Sequence, residues 1–517
     1  MSRLKELRKS ILLGVYINLI LLHILPIWMS NVFITLDGPA HTYSGSLIRQ
    51  ILLDQGRASE FFILRTIPPP NVFVHLIQAL FNGIINAGVF DKLMHSLWIF
   101  AFLLLSRSFI LKLNQGAYYR PFLMFPFVFS LPFIMGFQNF LWGFIPILLA
   151  MHQLVRIQNG NYHIYRELAV NSLILVSAYS CHLIAFLIIP FIQLAFLLFH
   201  PTRAKFKSFR IAAIIPFILI VIPAFMMKVD GGEFQNELSP DAFSRAYNWI
   251  RMSSIVSFSN SEQLLIWPLG ILFTLLFIYC IWAVFKPSKP DKVIQFWQRI
   301  LTFCACALLL AYFILPDHAI GGGFILVRIQ LLTIIFIIPA LACIRLRKVW
   351  MIPLAASFVI ISLLHLKQQH LVWAELGKKA GEYIEVVAKI PENSVVMPVI
   401  WEENWMYSNF PCLLGSRKQI VILDNYEAST NHFLVQWNSN LDPSNFAGLN
   451  GNANTPCLNP NNYPKKIDYI YSWGVIPTLD SCGISSSKLL LEQWDLIWST
   501  SNKNGKLYKK KAQLTLK

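Results

Sequence analysis

Long apolar runs alternate with short polar connections up to about residue 366, and then the pattern changes. About 20 apolar residues cross a hydrocarbon core as a helix. On that measure the runs at 11–29, 92–111, 121–136, 140–155, 168–181, 183–199, 211–227, 264–285, 300–315, 324–343 and 349–366 read as spans. The shorter ones fit by tilt or local thinning. A further apolar stretch, "PPPNVFVHLIQALFNGIINAGVF" at 68–90, carries His75, Gln78, Asn82 and Asn86. It is expected to lie at the interface rather than to span.

The charges test this tracing through the excess of Lys and Arg on the cytoplasmic side. With the N-terminus inside, the inner segments hold Arg3, Lys5, Arg8 and Lys9, then Arg107, Lys112 and Arg120, then Arg156 and Arg166. Arg203 to Arg210, Lys286 to Arg299 and Arg345 to Lys348 complete the set. The connections near Phe137, near His182 and from Asp317 to Gly323 lack Lys and Arg. The expectation is about eleven spans, a cytoplasmic N-terminus and an extracytoplasmic C-terminus. "MSRLKELRKS" followed by the first run reads as a retained signal anchor. Larger outer segments are then 30–91, roughly 228–263, and the tail.

From about 367 to 517 the chain reads as an extracytoplasmic α/β domain, long enough to bury its own core. "GKKAGEYIEVVAKIPENS" is an amphipathic helix ending at Pro391. "SVVMPVIW", "QIVILD" and "IDYIYSW" are short buried strands. "WDLIWSTSNKNGKLYKKK" is a closing hairpin with Asn504-Gly505 at its turn. The fold class expected is thus mainly α, a transmembrane domain over 1–366 plus an α/β domain over 367–517.

Composition sharpens the class. Hydrophobic residues make up 56 % of the 517 residues and charged ones 13 %, against about 25 % charged in soluble domains. Mean hydropathy is +0.54. The formal charge of +17 comes from clusters between apolar runs, which are topology signals and not a nucleic-acid patch. Five cysteines (Cys181, Cys280, Cys304, Cys306, Cys343) lie in or beside spans and act as small apolar groups. Of Cys412, Cys457 and Cys482 in the tail, the last two can pair in an oxidising compartment, leaving Cys412 free.

Candidate chemistry concentrates in the first outer loop, "NVFITLDGPAHTYSGSLI" from Asn31. Asp37 stands alone as an acid until Asp54. Pro39 suits the first turn of a helix. Tyr43, Leu47, Ile48, Ile51 and Leu52 form one face of that helix, and Thr42, Ser46 and Arg49 the other, so it is expected to lie flat on the bilayer surface. Asp37 reads either as a turn or helix-cap residue or as a general base. His41 reads as an interfacial side chain, a substrate ligand or a partner to Asp37 at i+4. Arg49, Arg65 and Arg328 are candidates for phosphate binding, since guanidinium matches phosphate oxygens bidentately. Arg328 sits about one turn into a span after "PDHAIGGGF", where an arginine snorkels or faces a polar cavity. Asp317 and His318 in that loop are either a solvated turn or substrate contacts.

The layout resembles the C-type (GT-C) glycosyltransferases, multi-span enzymes that take sugars from polyprenyl-phosphate carriers. The resemblance rests on one span after a short N-terminus, an acid just beyond it, a proline-led apolar helix ("PPPNVFVHLIQALF") and an α/β tail. "LDGPAH" and "MGFQNFLWG" (135–143) are similar to a bacterial branch of that superfamily. The resemblance implies transfer of a sugar from a polyprenyl-phosphate donor to a glycan, lipid or protein acceptor. It implies the outer face of a bacterial plasma membrane, with membrane lipids as surroundings and no nucleic acid. Asp37 would be the catalytic base, with His41, Arg49, Arg65, Asp317, His318 and Arg328 binding substrate. No cofactor is assigned, and a divalent metal stays open. The competing classes are a transporter or flippase for lipid-linked cargo, and a non-catalytic scaffold of envelope assembly.

Overall fold

The structure is a computed structural model. It describes residues 2–160, 163–200, 240–286, 292–318, 322–430, 432–443, 460–476 and 485–511. The expected span at 211–227 and the Cys457–Cys482 pair lie outside the described residues. Cys412 is buried and carries no disulfide.

In chain order the principal helices are α1 (Ser2–Met29), α2 (Gly38–Leu52), α3 (Phe73–Phe81), α4 (Ala87–Leu113), α5 (Phe144–Gln158), α6 (Ile164–Cys181) and α7 (Leu183–Phe199). They continue with α8 (Ala242–Ile250), α9 (Asn260–Phe285), α10 (Lys292–Ile314), α11 (Ile325–Ala342), α12 (Lys348–Ile384), α13 (Cys412–Gly415) and α14 (Ser486–Gln493). Among the described residues, seven helices are long and apolar enough to cross a membrane. They are Glu6–Met29, Ala87–Leu113, Gln138–Gln158, Asn260–Phe285, Lys292–Ile314, Ile325–Ala342 and Lys348–Lys389. Leu183–Phe199 is a shorter apolar helix. This is the build of a polytopic membrane protein.

Two of the expected apolar segments need correction. Residues 121–136 form no continuous span; they fold as a 3-10 helix, Arg120–Phe127, and one α-turn, Leu131–Ile134. Pro121, Pro126 and Pro132 each remove a backbone donor from this stretch, which breaks an α-helical ladder. In the 68–90 stretch only nine residues, Phe73–Phe81, are helical before the chain turns. Gly83 then takes φ +100°, a backbone open to glycine at no steric cost. Asn86 accepts hydrogen bonds from the Gly88 and Val89 N–H groups as α4 begins.

The chain divides into two compact units, Met1–Pro26 with His95–Leu371, and Ile27–Met94 with Val372–Lys517. The first is helical. There α11 packs along α10 and is buried over nearly its whole length. Arg245 of α8 donates to the carbonyls of Tyr312 and Leu315 at 2.8 and 2.7 Å, a cation on the carbonyl end of α10.

The second unit contains the loop at 30–91 together with the tail. Its sheet runs β3 (Val421–Ile422), β2 (Val395–Ile400), β5 (Tyr469–Trp473), β7 (Gly505–Lys510), β6 (Trp494–Ser499). β3, β2 and β5 are parallel, and β7 and β6 close it antiparallel. Every residue of β5 is buried. The expected Asn-Gly hairpin turn is instead a longer loop, in which Lys503 takes the positive φ (58°) and Gly505 opens β7. The expected tail helix is the end of α12, which runs 37 residues without a break.

α2 does not present a wet face. Thr42, Ser46 and Gln50 are buried along with Tyr43, Leu47 and Ile48. Its polar side meets the polar side of α3: Asn82 donates to Ser46 Oγ at 3.0 Å and Gln78 to Thr42 Oγ1 at 3.4 Å. Tyr43, fully buried, accepts from the Ile422 N–H of β3 at 3.0 Å. Its ring lies where a Cβ on Gly415 would come within 2.2 Å, so α13 carries glycine at that contact.

Candidate functional site

The site begins at the N-terminus of α2. Asp37 is the N-cap by position, yet its side chain makes no capping hydrogen bond. Its carbonyl accepts from the His41 N–H at 3.0 Å. Its carboxylate accepts instead from Asn409 Nδ2 at 3.2 Å and from the Tyr426 hydroxyl. Asp37 thus holds the cap position through its backbone, while its side chain is engaged elsewhere. Gly38 follows because a Cβ there would fall 2.5 Å from Thr35 Oγ1 and 3.8 Å from Asp91 Oδ2.

Gly38 and Thr42 line a cleft with Asn86, Asp91, Lys92 and Arg417. The Lys92 ammonium donates to the Ser30 and Asn31 carbonyls at 2.6 and 3.1 Å. Arg417 donates to the Leu413 carbonyl at 3.4 Å. The cleft thus brings two cations and one buried acid to a wall one residue from Asp37. In low local dielectric such groups attract an anion more strongly than in water.

On another side of α2 lies a buried polar cluster. His41 Nδ1 faces His75 Nε2 at 3.1 Å, and the rings stand edge to face, 87° apart. Glu427, which is 0 % exposed, places Oε1 against His41 Nδ1. His75 Nε2 lies 3.3 and 3.1 Å from the two carboxylate oxygens. Ser44 donates to Oε2 at 2.5 Å, and Asn425 donates to Ser44 at 3.3 Å. Phe433 covers both imidazoles. Burial pushes the Glu427 carboxyl up, but His75 and His41 outweigh it and hold the group below the usual carboxylate range. The ligating atoms of the three residues all lie within 4.8 Å of one another, a donor set that suits a divalent ion.

Two neighbours are tuned the opposite way. Burial pushes the Asp424 carboxyl up to about 8, so it is neutral near pH 7. The Cys412 thiol donates to the Asp424 carbonyl at 3.3 Å. Burial first, then Asp424, Glu427 and Asp37, raise its pKa well above the ordinary value, which keeps it a thiol and a poor nucleophile.

Of the residues singled out from sequence, Asp37, His41, Arg49 and Arg65 belong to the second unit, and Asp317, His318 and Arg328 to the first. The Arg49 guanidinium packs about Gly83, within 3.1 Å of the position of a Cβ there. Arg65 continues strand β1 (Phe62–Leu64), its N–H donating to Leu434 at 2.9 Å beside β4 (Val435–Trp437). Asp317 caps α11: Oδ1 accepts from Leu326 N–H at 2.9 Å and its carbonyl from Ile325 N–H at 3.0 Å. His318 lies against Gly323 and Phe324. Arg328 stacks over Phe137 at 4.3 Å and Phe140 at 5.7 Å and faces His182 Nε2 at 3.4 Å. The Arg328 guanidinium is thus held over aromatic faces.

The sequence reading missed Asn409, Tyr426, Glu427, Asp91, Lys92 and Arg417 as site residues. Glu427 had a faint signal, an acid in the short connection after the buried strand "QIVILD", where functional groups are often carried. Asp91 and Lys92 had none, because they sit at the start of a long apolar run. Comparison with known proteins finds no family model and no curated protein that matches this chain.

Proposed function

We propose that the protein is a membrane glycosyltransferase that moves a sugar from a polyprenyl-phosphate carrier to a glycan, lipid or protein acceptor. The reaction takes place on the outer face of a bacterial plasma membrane, with the N-terminus cytoplasmic and the second unit extracytoplasmic. The observation that carries this reading is Asp37: a half-buried carboxylate, not spent on capping, held by Asn409 and Tyr426 next to a cleft that presents Lys92 and Arg417.

Such an arrangement supplies both groups that the chemistry needs. The acceptor hydroxyl attacks the anomeric carbon as the bond from that carbon to the phosphate oxygen breaks. Asp37 takes the hydroxyl proton. The negative charge gathering on the departing lipid phosphate meets the Arg417 guanidinium and the Lys92 ammonium. In this reading Arg417 and Lys92 take the role first sought among Arg49, Arg65 and Arg328.

The test is transfer by the purified protein in liposomes containing polyprenyl-phosphate-linked sugars. Asp37→Asn is expected to lower transfer by about 10²–10⁴-fold while membrane insertion and abundance stay unchanged, and full activity in that variant would remove Asp37 as the base. Reporter fusions after residue 60 test sidedness independently; a cytoplasmic signal there sinks the reading. Cargo movement by the wild-type protein without any sugar transfer would point to a flippase instead.

A further inference from the structure

The His41–His75–Glu427 cluster is not needed by the transfer step above, and its geometry asks for a cause of its own. Around it, two ring nitrogens face each other as well as the carboxylate. A neutral imidazole carries one N–H and one lone pair, and an ionised carboxylate only accepts. His75 Nε2 lies 3.1 Å from His41 Nδ1 and 3.1 and 3.3 Å from the two Glu427 oxygens. One nitrogen bears at most one proton, so it cannot donate to all three. His41 Nδ1 faces both His75 Nε2 and Glu427 Oε1. Nitrogen and oxygen atoms from three side chains therefore converge on one small volume.

That convergence is what a metal ion relieves. Zinc binds imidazole nitrogen and carboxylate oxygen at about 2.0–2.2 Å in a tetrahedron, so neighbouring ligand atoms stand roughly 3.3 Å apart. The separations of 3.1 to 3.3 Å about His75 match that spacing, while His41 Nδ1 and Glu427 Oε1 stand closer and would move apart on binding. All three residues are at most 3 % exposed. An outer layer is also built, since Ser44 donates to Glu427 Oε2 and Asn425 supports Ser44, as partners beyond the ligands do in metal sites.

We infer that His41 Nδ1, His75 Nε2 and the Glu427 carboxylate bind one divalent first-row ion, zinc by preference, which clips α2, α3 and the chain after β3 together. Imidazole with carboxylate suits zinc better than calcium or magnesium, which take all-oxygen shells. Three protein ligands leave a fourth position open. The ion closes chain segments that are far apart in sequence, and its ligand His41 lies one turn after Asp37, so it also fixes the N-terminus of α2.

The experiment reads metal directly and does not depend on the transfer reaction. Full-length protein is purified in detergent with a tag free of histidine, without chelator, and its metal content is measured. Roughly one zinc per chain is expected. After chelation, titration with Co2+ should give the visible absorption of a nitrogen- and oxygen-ligated ion, displaced by added Zn2+. His41→Ala and Glu427→Gln should each lose the bound ion, and Ser44→Ala should weaken it by about 10–100-fold. A ligand substitution that unfolds the chain would also lose the ion, so the wild-type titration decides. A wild-type protein that carries no metal and takes up neither Co2+ nor Zn2+ overturns the site, and the cluster is then a hydrogen-bonded network. Equal uptake by folded His41→Ala and Glu427→Gln variants overturns it too, by placing the ion elsewhere. Loss of transfer in Asp37→Asn with metal content intact would keep the two proposals separate.

Discussion

Each unit buries one glutamate among histidines, and the two clusters are built differently. In the first unit Glu262, near the start of α9, is 2 % exposed. Its Oε1 accepts from His365 Nε2 at 2.6 Å and from the Gln369 amide. Its Oε2 accepts from the Ser257 and Phe258 N–H groups at 3.0 and 2.7 Å. Four donors meet a carboxylate with about four lone-pair positions, and His365 Nε2 and Gln369 Nε2 also face each other at 3.0 Å; an amide nitrogen is not a metal ligand, so this cluster offers one imidazole and one carboxylate. In the second unit Glu427 meets Ser44 and two imidazoles whose nitrogens also face each other. The first arrangement holds helices α9 and α12 together. The second brings two imidazoles and a carboxylate to one point, the donor set that suits a divalent ion. Burial of an acid beside a histidine does not by itself indicate function; the number of ligand atoms that converge does.

The largest effect that separates the two regions is on activity. Asp37→Asn is expected to lower sugar transfer by about 10²–10⁴-fold, the usual range for a lost general base, with no shift in thermal midpoint. Glu262→Ala should do the reverse. It strips the partner from His365, Gln369 and two backbone N–H groups and should cost about 3–5 kcal/mol, read as a drop in the thermal midpoint in detergent. Metal content should stay at the wild-type level. Loss of the ion in Glu262→Ala would break the contrast, because both clusters would then be coupled to it.

Dependence on pH sharpens the comparison inside the second unit, where two carboxyls are shifted in opposite directions. Asp424 is raised to about 8, while an unfolded aspartate titrates near ~4. Between those values the unfolded chain is ionised and the folded one protonated. Stability therefore falls as pH rises from about 4 to about 8, by at most about 1.4 kcal/mol per unit, and is level above. Asp424→Asn should remove that slope in a series of thermal midpoints against pH. Glu427 is depressed, so its contribution is present above the ordinary carboxylate range and is lost as pH falls through its lowered value. Glu427→Gln should flatten the acid end of the same series. A wild-type profile flat from pH 4 to 8 would contradict the Asp424 assignment.

The smallest effect tests packing alone. Gly415→Ala would place a methyl 2.2 Å from the Tyr43 ring, and overpacking of this kind costs about 1–3 kcal/mol. The midpoint should fall modestly, and Tyr43→Phe, which gives up the hydrogen bond to Ile422 N–H, should not rescue it.

Much of the architecture was legible along the chain. Hydropathy runs located α1, α4, α7, α9, α10, α11 and the first part of α12, because a helix that contacts lipid must be apolar over its own length. The strands β2, β5, β6 and β7 were legible for a similar reason, being short runs of Val, Ile, Tyr and Trp. Residues 121–136 misled, since apolarity was counted and three prolines were not weighed against a continuous ladder. α2 misled in another way. Thr42 and Ser46 looked like a wet face, but Gln78 of α3 and Asn82 just after it satisfy them within the protein.

The sequence by itself determined that this chain is a polytopic membrane protein with an α/β tail, and that the segment after its first span carries an isolated acid and a histidine. Those properties are local: hydropathy, prolines and chemical type can be read one residue at a time. Only the tertiary structure decided that His41 meets His75 and Glu427, that Asp37 is held by Asn409 and Tyr426, and that Lys92 and Arg417 share a cleft. These contacts join residues separated by up to 389 positions, from Asp37 to Tyr426. No periodicity spans such a distance, and the packing that closes it depends on every element between.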